Sequence, residues 1–300
     1  MEQRKPKLTN KEMISHLRNR GITFDLMSER EAFLLLRQST YLYRITAYRK
    51  NFKKQYNIYQ NLDFAMLVDL EVIDTKLRYL LLEMSLDYEY AIKSKLLDLI
   101  TSDPNENGYD IVYRFRLSHP NTFKIVMKNF GNSTYLKDMY IKRKNDIAIW
   151  TLLEVMNFGQ ISILIDFMWK EKSIKSLREA QRLHKFAKNI RNAAAHNSPL
   201  FVNLFSKSTC IKNNQFIVSF AAGSQLSYDE LSEQKLNDIF SLFYLHKRYC
   251  DKSLVERRVA YLRCIIERWE RHTEWYLGIE RLEKFKSAFE KLVDFYARNQ

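Results

Sequence analysis

Glycine and proline are scarce, six and four among 300 residues, about a quarter of their usual combined share. So few turn and breaker residues exclude an all-β fold and a Gly-rich dinucleotide fold, and leave long helices with few connections. Three cysteines, Cys210, Cys250 and Cys264, are too few and too scattered for a disulfide framework or a zinc site, which fits a reducing cytoplasm. The opening MEQRKPKLTNKE has no apolar stretch and predicts no secretory leader. The most membrane-like run, residues 147–169, is interrupted by Glu154, Asn157, Gln160 and Asp166. An acidic residue near a span centre costs about 2.5–3.5 kcal/mol, so this run reads as two buried helices broken around Gly159 in a soluble protein. Absent too are a Gly-rich phosphate loop, GxSxG, HExxH, CxxC and the paired aspartates of a two-metal nuclease. No cofactor or metal is expected.

What is present is a folded, basic chain. Apolar residues make up 46% and charged residues 28%, with a net charge of +14, so anionic macromolecular partners are expected. The charge is blocked: residues 1–60 carry net +8, 61–110 net −7 and 111–150 net +6. Two basic blocks around an acidic one favour localised anion-binding surfaces.

Helix punctuation is legible. Thr9 opens a segment that closes at Gly21, with Ile14 and Leu17 on one face. Ser28 with Glu31, Ser227 with Glu230 and Ser253 with Glu256 read as capping boxes. From Asp63 to about Leu99 apolar residues recur at helical spacing. Further helices are expected at 121–130, 134–143, 146–158, 160–170 and 174–197. Residues 198–226 lack a helical period and could hold a loop and a short hairpin. Met156, Phe158, Phe167 and Trp169 read as core. The architecture predicted is all-α: an N-terminal helical section (1–60), a helical core (61–225) and C-terminal helices packed on it (226–300).

The residues that could carry chemistry are Arg/His combinations. Arginine followed after four to six residues by histidine is weak on its own, since chance gives about 1.3 matches in a chain of this composition. Three occur. In RFRLSHP, Pro120 pushes His119 out of helical geometry, so Arg114/His119 reads as a turn. Arg178/His184 lies among charged residues and reads as a solvated face. The third, NIRNAAAHNS, places Arg191, Asn192 and His196 on one arc of a helix, with three alanines stripping the bulk between them. Imidazoles titrate near ~6.5 and can take a proton from a ribose 2′-OH or give one to a leaving 5′-oxygen. Guanidinium can stabilise charge growing on phosphorus, and an amide can orient the phosphate. The set suits RNA cleavage by internal 2′-OH attack, which needs no metal. The same three residues could equally be a helix end satisfying neighbouring backbone.

The sequence resembles the Abi-like family of bacterial abortive-infection proteins, the AbiD/AbiF type, whose core is a HEPN domain. KPKLTNKEMISHLRNRGI, YLYRITAYRKNF, IAIWTLLEVMNFGQIS and IRNAAAHNSPLFVN carry the similarity in family order over about residues 5–205. The resemblance implies an α-helical HEPN-like bundle, a homodimer joining two Arg–polar–His motifs in one cleft, and metal-independent endoribonuclease activity in anti-phage defence, in a bacterial cytoplasm. It implies Arg191, Asn192 and His196 as the catalytic trio, and a structured small RNA as a restraining antitoxin. Many relatives carry a cysteine before AH and a basic residue soon after it, where this chain has Ala194 and the SPL of residues 198–200.

Glu154, in the other family-like stretch, reads either as a partner holding Arg191 or as an unrelated carboxylate. For RNA contact the candidates are Arg49, Lys50, Lys53 and Lys54, interleaved with Tyr48, Phe52, Tyr56 and Tyr59 whose faces could stack on bases. Lys142, Arg143, Lys144 and Lys188 are further candidates. A solvated amphipathic face explains either basic block alone. A catalytically idle HEPN scaffold that binds RNA or protein is the alternative function. DNA binding rests on charge alone, with no recognition-helix signal.

Overall fold

The structure, a computed structural model, describes residues 7–38, 42–212 and 215–298. Among these it is built from fifteen α-helices, with four two-residue strands and short 3-10 turns between them. In chain order the helices are α1 (Asn10–Arg18), α2 (Glu29–Gln38), α3 (Leu42–Ile45), α4 (Phe64–Thr101), α5 (Asp110–Ser118), α6 (Pro120–Asn132), α7 (Lys137–Arg143) and α8 (Ile149–Val155). There follow α9 (Phe158–Lys172), α10 (Arg178–Ala195), α11 (Gln215–Phe220), α12 (Tyr228–Ser232), α13 (Gln234–Tyr249), α14 (Lys252–Glu270) and α15 (Glu280–Ala297). The all-α expectation is met. No described helix is long and apolar enough to cross a membrane.

The chain forms two compact units. The first comprises Met1–Leu80, Ala193–Asn237 and Arg258–Gln300, the second Leu81–Asn192 and Asp238–Arg257.

In the first unit, local cap chemistry sets several helix starts. Thr9 with Glu12 and Ser227 with Glu230 form complete capping boxes, and Ser28 exchanges the same bonds with Glu31. Gly21, at φ +79°, lets the chain leave α1; a Cβ there would lie 2.7 Å from the Tyr59 carbonyl oxygen, so only glycine fits. Strand β1 (Ile22–Thr23) pairs in parallel with Leu62–Asp63, and Lys54–Gln55 pairs antiparallel with Ile58–Tyr59. Tyr56 and Asn57 at that hairpin's tip both have positive φ, as a tight two-residue turn of right-handed twist requires. A hairpin thus sits in the basic block at 54–59. The described residues of 198–226 contain no strand, only an isolated bridge between Cys210 and Glu233.

Buried carboxylates tie this unit together over long sequence separations. Asp69 accepts from the Tyr276 hydroxyl at 2.6 Å and pairs with Arg268. Asp74 lies 2.8 Å from the Arg78 guanidinium, both fully buried. It also accepts from the Tyr48 hydroxyl at 2.6 Å and the Leu200 backbone N–H at 2.9 Å. Burial pushes the Asp74 carboxyl up, while Arg78, Tyr48 and the backbone donors hold it down.

The second unit takes Leu81–Thr101 of α4, whose Leu81, Met84, Tyr88, Ile92 and Leu96 are buried. Gly108, at φ +80°, turns the chain beneath Trp150, where a Cβ would lie 2.5 Å from the indole. Arg114 lies on α5, not in a turn, and pairs with Glu106 at 2.6 Å and with Glu171. His119 does break the helix, at φ −132°, with Pro120 opening α6. The break in the apolar run 147–169 falls at Met156–Asn157, not at Gly159. Asn157 caps α9 in a capping box with Gln160, and Gly159 lies inside the helix. The side-chain cap at Asn157, and not the glycine, sets the boundary. Met156, Phe158 and Phe167 are buried as expected, and Trp169 is half-buried.

Helix α14 likewise starts from a different cap. Asp251 Oδ1 accepts the Leu254 N–H at 3.0 Å and the Ser253 hydroxyl at 2.6 Å, so Ser253 supports the cap instead of forming one with Glu256. The helix already runs from Lys252, so Ser253 lies inside its first turn and Asp251 stands at the cap position.

Candidate functional site

Helix α10 carries the motif. Within the second unit its buried positions are Ala180, Leu183, His184, Ala187 and Ile190, the three-and-four spacing of one helix face. His184 is therefore a core residue, not part of a solvated face. Its Nε2 donates to the Phe158 carbonyl at 2.8 Å, which leaves Nδ1 to accept from the Tyr88 hydroxyl at 3.0 Å. Burial holds the imidazole down to about 4, so it stays neutral and structural. Of the three Arg/His pairs, Arg114/His119 and the histidine of Arg178/His184 thus have structural explanations.

One and two turns further along α10, Lys188 and Arg191 lie beside the start of α9. Both Lys188 and Arg191 are half-buried. The Arg191 guanidinium lies over the Phe158 ring, 6.0 Å from its centroid, and its Nη1 donates to Asn192 Oδ1 at 3.2 Å. Its Nε is buried without a hydrogen-bond partner among the described residues. Such a donor costs about 1–3 kcal/mol unless something accepts from it. Glu154 does not: it is exposed on α8 and makes no hydrogen bond or ion pair with Arg191. The residue that positions Arg191 is Phe158, which the sequence reading placed in the core without a link to the motif. MNFG and RNAAAH are thus joined physically, by Phe158 contacting α10 at His184 and Arg191.

His196 belongs to the first unit and is exposed. The helix stops at Ala195, short of the expected 197. Asn197 adopts φ 54°, its N–H donates to Ala194 O at 3.1 Å, and the Ser198 N–H donates to Ala193 O at 2.8 Å. This pair of bonds with a left-handed residue is a Schellman cap, and His196 occupies its C-cap position. Ala193 and Ala194 accept these bonds, and with Ala195 they carry no side chains that would crowd the histidine.

The chain leaving the cap is pinned inside the first unit. Arg44, on α3, donates from Nη1 to the Asn197 carbonyl at 3.3 Å and pairs through Nε with Glu71 at 2.8 Å. Asp74 receives Leu200 N–H, and Asn51 Nδ2 donates to the Phe201 carbonyl at 2.7 Å. Through Asn51 the basic turn at 49–54 is fixed to a segment only five residues beyond His196. These anchors join positions some 126–153 residues apart, and no local pattern signals them.

Among the basic candidates, Lys50, Lys53 and Lys54 are exposed and Arg49 is half-buried. Their interleaved aromatics are not a stacking surface: Tyr48, Phe52 and Tyr59 are buried, and Tyr56 alone is open, at 93% exposure. Lys54 lies over the Tyr59 ring at 4.7 Å. In the second unit Lys142, Arg143 and Lys144 are exposed at the end of α7. Among the described residues no group of three or more His, Cys, Asp or Glu is arranged to hold a metal ion.

Comparison with known proteins gives one finding. Residues 35–202 match the Abi-like protein family, a span that holds α3 to α10, the MNFG break, the RNAAAH motif and the anchored segment after it. No curated protein and no solved structure matches the chain. Since the match covers more than half of the sequence, the chain belongs to the Abi-like family.

Proposed function

We propose that this protein is a metal-independent endoribonuclease of HEPN type, and that Arg191, Asn192 and His196 are its catalytic residues. Membership of the Abi-like family supports a function of the abortive-infection type. The observation that carries the finer reading is the contrast within α10. His184 is buried, neutral and satisfied, whereas Arg191 keeps a buried N–H with no partner among the described residues and His196 stands exposed on a hydrogen-bonded helix cap. A structural helix end would satisfy such groups locally.

In the proposed reaction an imidazole removes the ribose 2′-OH proton as the 2′-oxygen attacks the adjacent phosphorus. The 5′-oxygen leaves with a proton from a second acid, giving a 2′,3′-cyclic phosphate and a 5′-hydroxyl. The Arg191 guanidinium stabilises the charge on the pentacoordinate phosphorus, and Asn192 holds both Arg191 and a phosphate oxygen. Each chain supplies one trio, so a two-fold dimer would supply the second imidazole. Exposed Leu86 and Tyr90 on the second unit's part of α4 offer apolar surface that a second copy would cover. RNA is the partner, held through the exposed lysines and arginines, and a structured small RNA fits as the restraint. The test is cleavage of RNA by purified protein in EDTA. Wild type cuts, and His196→Ala folds but does not; activity retained in His196→Ala would contradict the reading.

A further inference from the structure

Beside the motif's C-cap the first unit contains a hollow of about 370 Å³, within the range of sites for small organic ligands. Tyr43, Arg44 and Ala47 form one side, and Asn197, Pro199, Val202, Asn203, Thr209 and Lys235 the rest. Among the described residues no carboxylate lines it. Glu71, which pairs with Arg44, and Glu233, which accepts from Phe205 N–H and Thr209, lie outside the lining. The surface offered to a ligand is mostly apolar, and its charged groups, Arg44 and Lys235, are both cations.

Lys235 is the unusual member. It is half-buried and donates to the Val202 carbonyl, yet forms no ion pair among the described residues. An ammonium has three donors, so two remain. Burial lowers its affinity for a proton, against the pull of Glu233 and Asp74; an incoming anion would offset that penalty. Tyr43 is 84% exposed, an aromatic face open to solvent in the wall of a hollow that also holds two cations. Asn197, next after His196, forms part of the wall and is held there by Arg44.

We infer that this hollow seats one nucleotide of the RNA strand, with its phosphate toward Lys235 and Arg44 and its base stacked on Tyr43. The inference rests on the ribonuclease reading and deepens it, because the nucleotide so held adjoins the bond presented to His196. A planar base supplies the stacking partner and a phosphodiester the anion.

Adenosine 5′-monophosphate, adenosine and inorganic phosphate are the probes, with binding read by ligand-observed NMR. The monophosphate is expected to bind wild type at least tenfold more tightly than adenosine or phosphate alone. Tyr43→Ala and Lys235→Gln should each weaken it about tenfold at unchanged melting temperature. Lys124→Gln, an exposed charge change on α6, should leave it unaltered. In RNA cleavage the two pocket variants should raise KM and keep kcat. Equal monophosphate affinity in wild type and Tyr43→Ala overturns the inference, as does an unchanged KM in an otherwise active enzyme; neither touches the ribonuclease reading. Monophosphate bound through Tyr43 and Lys235 by a protein that cuts no RNA would assign the hollow to free nucleotides and overturn the RNA placement.

Discussion

The Arg191 guanidinium lies over the ring of Phe158, 6.0 Å from its centroid, and the same Phe158 accepts a hydrogen bond on its carbonyl from His184 two turns earlier on α10. One aromatic residue, held at the first turn of α9 by the Asn157 cap, therefore positions the arginine on which the proposed chemistry depends.

Phe158→Leu keeps an apolar side chain at a fully buried position and removes the ring. Folding should survive with a loss of about 1–3 kcal/mol, read by urea unfolding. Cleavage should fall much further than stability, through kcat, because Arg191 loses the surface that orients it. Equal activity at equal fold would show that Phe158 only fills space.

His184 predicts a pH dependence of stability. Its folded-state value is about 4, against an ordinary 6.5. As pH falls through that interval the unfolded chain takes up a proton that the folded chain refuses. Stability from this group is complete above pH ~6.5 and declines towards pH ~4, by about 3 kcal/mol in all. Unfolding free energies of His184→Gln should show a correspondingly smaller slope between those values.

Asp74→Ala should cost about 3–5 kcal/mol, since it leaves Arg78 buried and unpaired and frees the Leu200 N–H. Hydrogen exchange should localise the loss to residues 200–201 as well as to α4. Exchange confined to α4 would mean that the segment after the motif is held by other contacts.

RNA affinity should fall with salt, at a log–log slope of about −0.7 per phosphate contact. Lys53→Glu with Lys54→Glu should flatten that slope without lowering the melting temperature, because both side chains are exposed. Tyr56→Ala should weaken single-strand binding by about 1–3 kcal/mol, whereas Tyr48→Phe, altered in the core, should act on stability through Asp74.

Legibility in the sequence followed the range of the physics. Thr9, Ser28 and Ser227 each find their capping partner three residues on, and α4 advertises its buried face by spacing alone, so these were readable. His184 was obscured by charged neighbours at 178, 179, 182, 185 and 188, although its three-and-four relation to Ala180 and Ala187, on the face that also buries Leu183 and Ile190, marks a core position. Tyr48, Phe52 and Tyr59 look like a stacking ladder because lysines surround them; burial came from Asp74 and a hairpin whose Tyr–Asn turn lacks a glycine signal. The trio itself was visible as a motif. Its supports, Phe158, Arg44 and Asp74, and the hollow formed by residues from 43 to 235, come from tertiary contacts that no local period encodes.

The most direct measurement is the chemistry of the product ends. RNA cut by the purified protein in EDTA should carry 2′,3′-cyclic phosphate and 5′-hydroxyl termini. Arg191→Ala and His196→Ala should yield no product, and Asn192→Ala should yield less of the same product. Cleavage that requires a metal ion and leaves 3′-hydroxyl ends would contradict the assignment of Arg191 and His196.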